Sequence, residues 1–243
     1  MQLLILGAGS DIGIAIAHQF AKAEGAYICL ASRSLELLEK KALDIQTRYQ
    51  VNARAVSFDA IDYAGHPDFY RSLDPKPDAV VFTAGYLGNQ GLAQKDFTET
   101  RKIIEANFLG PVSILEIIAA DFEAKGRGLI IGVSSVAGER GRQSNYLYGA
   151  AKSALTTFLS GLRNRLYPSH VRVMTVLPGF VRTRMTAGMN LPKLLMIEPE
   201  QVAEDVYRAY QSGKDIVYTG WFWRWIMGII RNIPETVFKR MNL

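Results

Sequence analysis

Seven short apolar runs punctuate the chain: LLILGA, YICLASR, ARAVSFD, DAVVFTAG, GLIIGVSS, VRVMTVLPG and DIVYTG. Between them lie longer stretches with apolar residues at helical spacing. These are DIGIAIAHQFAKAEG, closed by Gly25, then LELLEKKALDIQTRYQ, TETRKIIEANFLGPVSILEIIAADFEAKG, YGAAKSALTTFLSGLRNRLY, and EPEQVAEDVYRAYQSG, opened by Glu-Pro. Short β-branched runs read as buried strands, and the periodic stretches of ten or more residues read as helices. Strands joined through helices pair in parallel, because a crossover connects them and not a hairpin. Right-handed crossovers then put helices on both faces of one sheet. The pattern predicts an α/β chain with one doubly wound parallel sheet of about seven strands over residues 1–220. Residues 221–243 follow as a C-terminal helical appendage.

Composition narrows the function classes. At 243 residues the chain is long enough for a substantial core, and 49% apolar with 21% charged residues is ordinary for a folded domain. The net charge of +5 suits an anionic ligand or surface. No dense Lys/Arg run with interleaved aromatics argues for nucleic acid. The single cysteine, Cys29, lies inside an apolar run and reads as a buried strand residue. His18, His66 and His170 are scattered without ligand spacing, so no metal is expected. The opening MQLLILGAG lacks a basic segment and a long apolar one, so a cytoplasmic protein is expected.

The first strand runs into LGAGSDIG, residues 6–13. Glycines at 7, 9 and 13, around Ser10, Asp11 and Ile12, let the backbone turn tightly and approach a pyrophosphate at the next helix's N-terminus. The alternative is a tight turn without ligand. This segment resembles the fingerprint of the short-chain dehydrogenase/reductase family, Thr-Gly-x-x-x-Gly-x-Gly. Gly7 and Gly13 match; Leu6 replaces the threonine and Asp11 the middle glycine. An acid in a helix's first turn is favoured by the dipole, yet it lies close to where a diphosphate would bind.

The resemblance implies a Rossmann-like fold and further cofactor positions. Ser32 stands where NAD-preferring members carry an acid, and Arg33 follows it. A guanidinium pairs well with a phosphate dianion, so NADP(H) is favoured over NAD(H). The alternative for Arg33 is a solvated loop cation. Asp59-Ala60 match the family's adenine contact, and Ala84-Gly85 its Asn-Ala-Gly segment, with Thr83 replacing the asparagine.

The chemistry concentrates in YLYGAAK, residues 146–152. Tyr148 and Lys152 are four apart and share a helical face, whereas Tyr146 has Ala150 at that spacing. A free phenol titrates near ~10, and a nearby ammonium is expected to lower that value. Such a tyrosine exchanges a proton with a carbonyl or alcohol oxygen. Ser135, in SSVAG, lies 13 residues upstream after a predicted strand, where a hydroxyl can hold a substrate oxygen. The resemblance selects Ser135 over Ser134. It also implies that Asn107 holds a water relaying protons to the lysine. Pro178-Gly179 would pass the nicotinamide, and Thr183 would meet its carboxamide or the diphosphate. The alternative from another class is a nucleotide-binding scaffold of the same fold without turnover.

The segment after Thr183 carries Met185, Met189, Leu191, Leu194, Leu195 and Met196. It reads as an adaptable apolar lid for a hydrophobic or amphipathic substrate, or as core packing under a loop. The tail holds Trp221, Trp223 and Trp225 among Arg224, Arg231 and Lys239; Pro234 splits it into two short helices, with Asn232 a candidate cap. Its apolar stretch is too short to span a bilayer. A membrane surface suits it; so does an oligomer interface, a homo-oligomer being expected, or a cover over the substrate cleft. With Asp11, the tail also resembles the branch that reduces a keto-sugar on a polyprenyl phosphate, which would place the protein peripherally at the inner membrane surface.

Overall fold

A computed structural model describes residues 1–241. Asn242 and Leu243, the end of the expected tail, lie outside the described residues. The chain runs β1 (Gln2–Leu6), α1 (Asp11–Glu24), β2 (Tyr27–Ser32), α2 (Leu35–Tyr49), β3 (Ala53–Ser57), α3 (His66–Ser72) and β4 (Ala79–Phe82). It continues through α4 (Gln90–Ala93), α5 (Phe97–Ile104), α6 (Gly110–Lys125), β5 (Gly128–Val133), α7 (Tyr146–Leu166) and β6 (Val171–Pro178). It ends with β7 (Phe180–Val181), β8 (Met196–Ile197), α8 (Pro199–Gln211), β9 (Ile216–Thr219), α9 (Phe222–Asn232) and α10 (Glu235–Phe238).

Seven strands form one parallel sheet in the order β3-β2-β1-β4-β5-β6-β9. The two-residue period of the strands sends side chains alternately to its two faces. Leu3 and Ile5 of β1 meet Ile16 and Phe20 of α1 and Val202 and Val206 of α8 in one core layer. Leu4 and Leu6 meet Ile114, Ile118 and Phe122 of α6 and Leu155 and Leu159 of α7 in the other. Burial on both faces is why the strands read as apolar runs without alternation. The strand order reverses between β1 and β4, leaving a crevice at their C-terminal ends.

Several features depart from the sequence pattern. The helix over 97–125 is continuous but contains a π-helical stretch at Glu105–Leu109. It is long and apolar enough to cross a membrane by composition, but its Ile114, Leu115, Ile118 and Phe122 are buried against the sheet. The catalytic-end helix begins at Tyr146, two residues before the expected start. Helices α3 and α4 and the two-residue pair β7–β8 had no readable signal, being too short to show a period.

The tail packs against the body. Trp223 and Met227, one turn apart on α9, are buried with Val136 and Leu177. Arg140 donates to the carbonyls of Ile230, Arg231 and Ile233 at 3.3, 2.9 and 2.9 Å, pairs with Glu235 at 2.8 Å, and lies 4.0 Å from the centroid of the Phe238 ring. It thereby satisfies carbonyls that a helix C-terminus leaves unpaired. Asn232 ends α9, and its amide donates to the Gly228 carbonyl at 2.7 Å.

Candidate active site

The glycine-rich loop joins β1 to α1 beside the crevice. Gly7 has φ +84°, and a Cβ there would press into the backbone of Ala84. Only glycine combines that conformation with so close an approach. Ser10 flanks α1 and accepts from the Gly13 amide at 3.4 Å. Among the described residues, the amides of Asp11 and Ile12 have no recorded acceptor, leaving α1's N-terminus open to an anion. A Cβ on Gly9 would meet nothing nearer than the Ser32 hydroxyl, at 3.6 Å, so the glycine leaves an open cradle. These features fit a dinucleotide diphosphate. The unexpected Thr83 bonds to the carbonyls of Leu6 and Gly7 at 3.2 and 3.0 Å, tying the loop to β4.

Arg33 is exposed just past β2 and has no ion-pair partner among the described residues. Asp59 accepts from the Ile61 amide at 3.1 Å, and its carbonyl bonds to buried His66, which fixes the Asp59-Ala60 turn. That turn lies against α6, where Gly110 abuts the Ala60 carbonyl.

At the chemical end, Ser135 follows β5 and its hydroxyl accepts from the Ala137 amide at 3.1 Å. Ser134 is turned away, bonding to the Lys152 carbonyl at 2.8 Å and to Thr156 Oγ1 at 2.7 Å. The Tyr148 phenol lies beside the Ser135 hydroxyl, which acts to lower its pKa. Lys152 is only 4% exposed and donates to the Val133 carbonyl at 3.1 Å. Its Nζ lies 5.7 Å from the centroid of the Tyr148 ring. Tyr146 is exposed at the helix start. Asn107, fully buried in the π-helical stretch, donates both amide hydrogens, to the carbonyls of Tyr86 and Ile103 at 2.6 and 2.8 Å. Its Oδ1 accepts from the Tyr86 amide at 3.3 Å. Only its oxygens therefore remain to bind a water. A Cβ on Gly85 would stand 2.9 Å from Asn107 Oδ1 and 3.6 Å from Lys152 Nζ, so these three residues converge.

One electrostatic expectation is reversed. Burial pushes the Tyr148 phenol up to about 12, opposed only by the neighbouring Ser135 hydroxyl. The same burial draws Lys152 down to about 8. Desolvation disfavours the charged form of both groups and is the dominant influence on each. At neutral pH the phenol is therefore protonated.

Two contacts were invisible in the sequence. Trp223 packs edge-on against Phe180, with ring centroids 4.9 Å apart, and fills the space that a Cβ on Gly179 would need. Beyond Pro178-Gly179, the Thr183 amide donates to Thr186 Oγ1 at 3.1 Å, and Arg184 reaches back to Asp11. A groove of about 750 Å³ begins at Gly9, Asp11 and Arg184 but runs outward between α1, α2 and α8. Ser135 and Tyr148 do not line it, so it is not where the chemistry converges.

Comparison with known proteins places the chain in a family. A family model described as short chain dehydrogenase matches residues 2–193. An uncharacterised oxidoreductase of Mycobacterium tuberculosis is 36% identical over 242 residues, covering 98% of this chain and 96% of its own. An NADP-dependent 3-hydroxy acid dehydrogenase of Schizosaccharomyces pombe is 30% identical over 189 residues, covering 76% and 73%. A solved short-chain dehydrogenase from Sphingobium yanoikuyae in complex with NADPH shares the fold, with a TM-score of 0.82 over 96% of both chains at 23% identity. The chain belongs to the short-chain dehydrogenase/reductase family and is an NAD(P)-dependent oxidoreductase.

Proposed function

We propose that the protein interconverts a carbonyl and a secondary alcohol, using NADP(H) in preference to NAD(H), on a hydrophobic or amphipathic substrate. The observation that carries this reading is the Tyr148 phenol, set beside Ser135 and one helical turn from buried Lys152. A reduced nicotinamide, when bound, supplies the hydride that no side chain can. Ser135 holds the substrate oxygen. Tyr148 donates its proton to that oxygen as the carbon is reduced, and takes it back in the alcohol direction. Lys152 resupplies the proton, with a water at Asn107 as the route onward. Free Arg33 supports a 2′-phosphate reader, and the name of the S. pombe relative, which includes NADP, agrees. The test is NADPH oxidation across a panel of ketones, in wild type and Tyr148→Phe. The phenylalanine variant should bind NADPH normally and lose turnover by several orders of magnitude; turnover within tenfold of wild type would sink the assignment. Tyr146→Phe should be silent.

A second reading keeps the chemistry and moves the substrate to a bilayer, as a polyprenyl-phosphate-linked keto-sugar. It is favoured by one face of α9 and the turn before it. Trp221, Trp225 and Ile229, four apart, are 75%, 69% and 69% exposed, and Leu194 of the lid is almost wholly exposed. Arg224, Lys239 and Arg240 carry cations without ion-pair partners among the described residues, each worth about 1 kcal/mol at an anionic surface. In co-sedimentation with anionic vesicles, wild type should bind at low salt and Trp221→Ser/Trp225→Ser should not. Indifference of wild type to vesicles removes this reading; a change of solution mass in the variant instead assigns the face to a homo-oligomer interface.

A further inference from the structure

The acid in the glycine-rich loop has a partner 173 residues away. Asp11 accepts through Oδ2 from the Arg184 backbone amide at 2.9 Å and through Oδ1 from Arg184 Nε at 3.0 Å. Arg184 Nη2 also donates to the Gly9 carbonyl. One carboxylate thus grips both the backbone and the side chain of a residue directly after Thr183. The guanidinium is drawn onto the loop whose amides at Asp11 and Ile12 lack acceptors. A guanidinium has five N–H donors. Nε and Nη2 are committed here, Nη2 to the Gly9 carbonyl and against Asp11 Oδ1 at 3.0 Å; Nη1 bonds to no acceptor among the described residues.

We infer that Asp11 is a positioning residue that straps the lid, residues 183–196, to the glycine-rich loop and presents Arg184 to the cofactor diphosphate. The inference rests on the NADP(H) reading and adds a role for the position where this chain departs from the family glycine. An isolated carboxylate at that position repels a diphosphate. A carboxylate that holds a guanidinium there neutralises itself and leaves spare donors facing the phosphates. The same strap links cofactor and lid. A phosphate drawing on Arg184 steadies the segment that carries Met185, Met189 and Leu194, so the substrate cover is ordered by the ligand next to it.

The strap has a double-mutant signature that a bystander acid lacks. Asp11→Gly should loosen Arg184 and weaken NADPH. Arg184→Ala should weaken it more, by about tenfold or greater, since it removes the cation and leaves Asp11 facing the phosphates. Adding Asp11→Gly to Arg184→Ala should then improve binding, reversing the sign of the same substitution. Asp11→Asn, which keeps an acceptor for Arg184 without the charge, should lie between wild type and Asp11→Gly.

The measurement is NADPH fluorescence titration of the wild type and these variants at low and high salt, with thermal melts as a check on folding. Chymotryptic cleavage of the cofactor-free protein within 191–195 is a second readout, independent of cofactor. It should speed up in Asp11→Gly and in Arg184→Ala. If Asp11→Gly binds NADPH as tightly as wild type or tighter, or if Arg184→Ala stays within twofold of wild type, the inference is overturned. If wild type itself binds neither NADPH nor NADH, the cofactor reading fails instead. Cleavage rates equal to wild type in both single variants overturn the strap alone.

Discussion

Replacing Gly179 by alanine isolates a steric contact that couples the tail to the cofactor side of the site. A Cβ there would fall inside the indole of Trp223, overlapping Cε2 and Nε1. Trp223 cannot swing clear, because it is 2% exposed and packed among Val136, Leu177 and Met227. Gly179 has no left-handed backbone that alanine would strain, so the cost is overpacking alone, about 1–3 kcal/mol. At about 2–4 °C per kcal/mol for a chain of this size, the melting temperature should fall by roughly 2–12 °C. Trp223→Leu alone opens a cavity and should cost less than the about 3–5 kcal/mol typical of Trp→Ala. Combined, the new methyl occupies the vacated volume, and the sum should fall short of additivity by about 0.5–3 kcal/mol. Urea unfolding of the four proteins measures this, and NADPH titration shows whether the Pro178 turn recovers with it. Additivity within about 0.5 kcal/mol would refute the reasoning, since it would mean that the two side chains do not compete for one space.

Arg33→Ala should weaken NADPH by about 1.5–3 kcal/mol, as expected for a charge-assisted contact, and leave NADH nearly unchanged; equal losses in a titration of both cofactors would show that Arg33 does not read the 2′-phosphate. Ser135→Ala should abolish turnover with little effect on melting, whereas Ser134→Ala, which loses bonds to Lys152 and Thr156, should lower the melting temperature and retain NADPH binding. Lys152 titrates near 8 when folded, below its ordinary 10.5, so between those values the unfolded chain binds more protons and stability rises with pH. Tyr148, raised to about 12 from 10, makes stability fall above pH 10. Urea unfolding from pH 7 to 10 should therefore show a rise that Lys152→Met lacks, and identical slopes would exclude a depressed lysine.

The sheet was legible because its strands are buried on both faces, which leaves short unbroken apolar runs such as LLILGA and GLIIGVSS. The bringing together of Tyr148 and Lys152 was legible because one helical turn separates them, and helical periodicity is local. What escaped notice is non-local or aperiodic. The π-helical stretch around Asn107 leaves no mark in a hydrophobic pattern. The sequence spacing fixed the neighbours of Lys152 but not where its ammonium turns, so burial, which sets its charge and that of Tyr148, was misjudged. Asp11 looked out of place because its partner, Arg184, lies beyond six strands of the chain. Thr83 departed from the family asparagine for a reason visible only once β1 and β4 are side by side.

Arg140 gives the order of synthesis a consequence. It follows Ser135 by five residues, yet the carbonyls and ring that fix it belong to residues 230–238, 90 residues and more further along. Chains fold from the N-terminus as they emerge, so the dinucleotide half of the sheet can assemble while the polypeptide is still being extended. The serine turn cannot reach its final packing until residues 230–238 have emerged. The nascent protein therefore acquires its cofactor fold before its catalytic turn is fully packed.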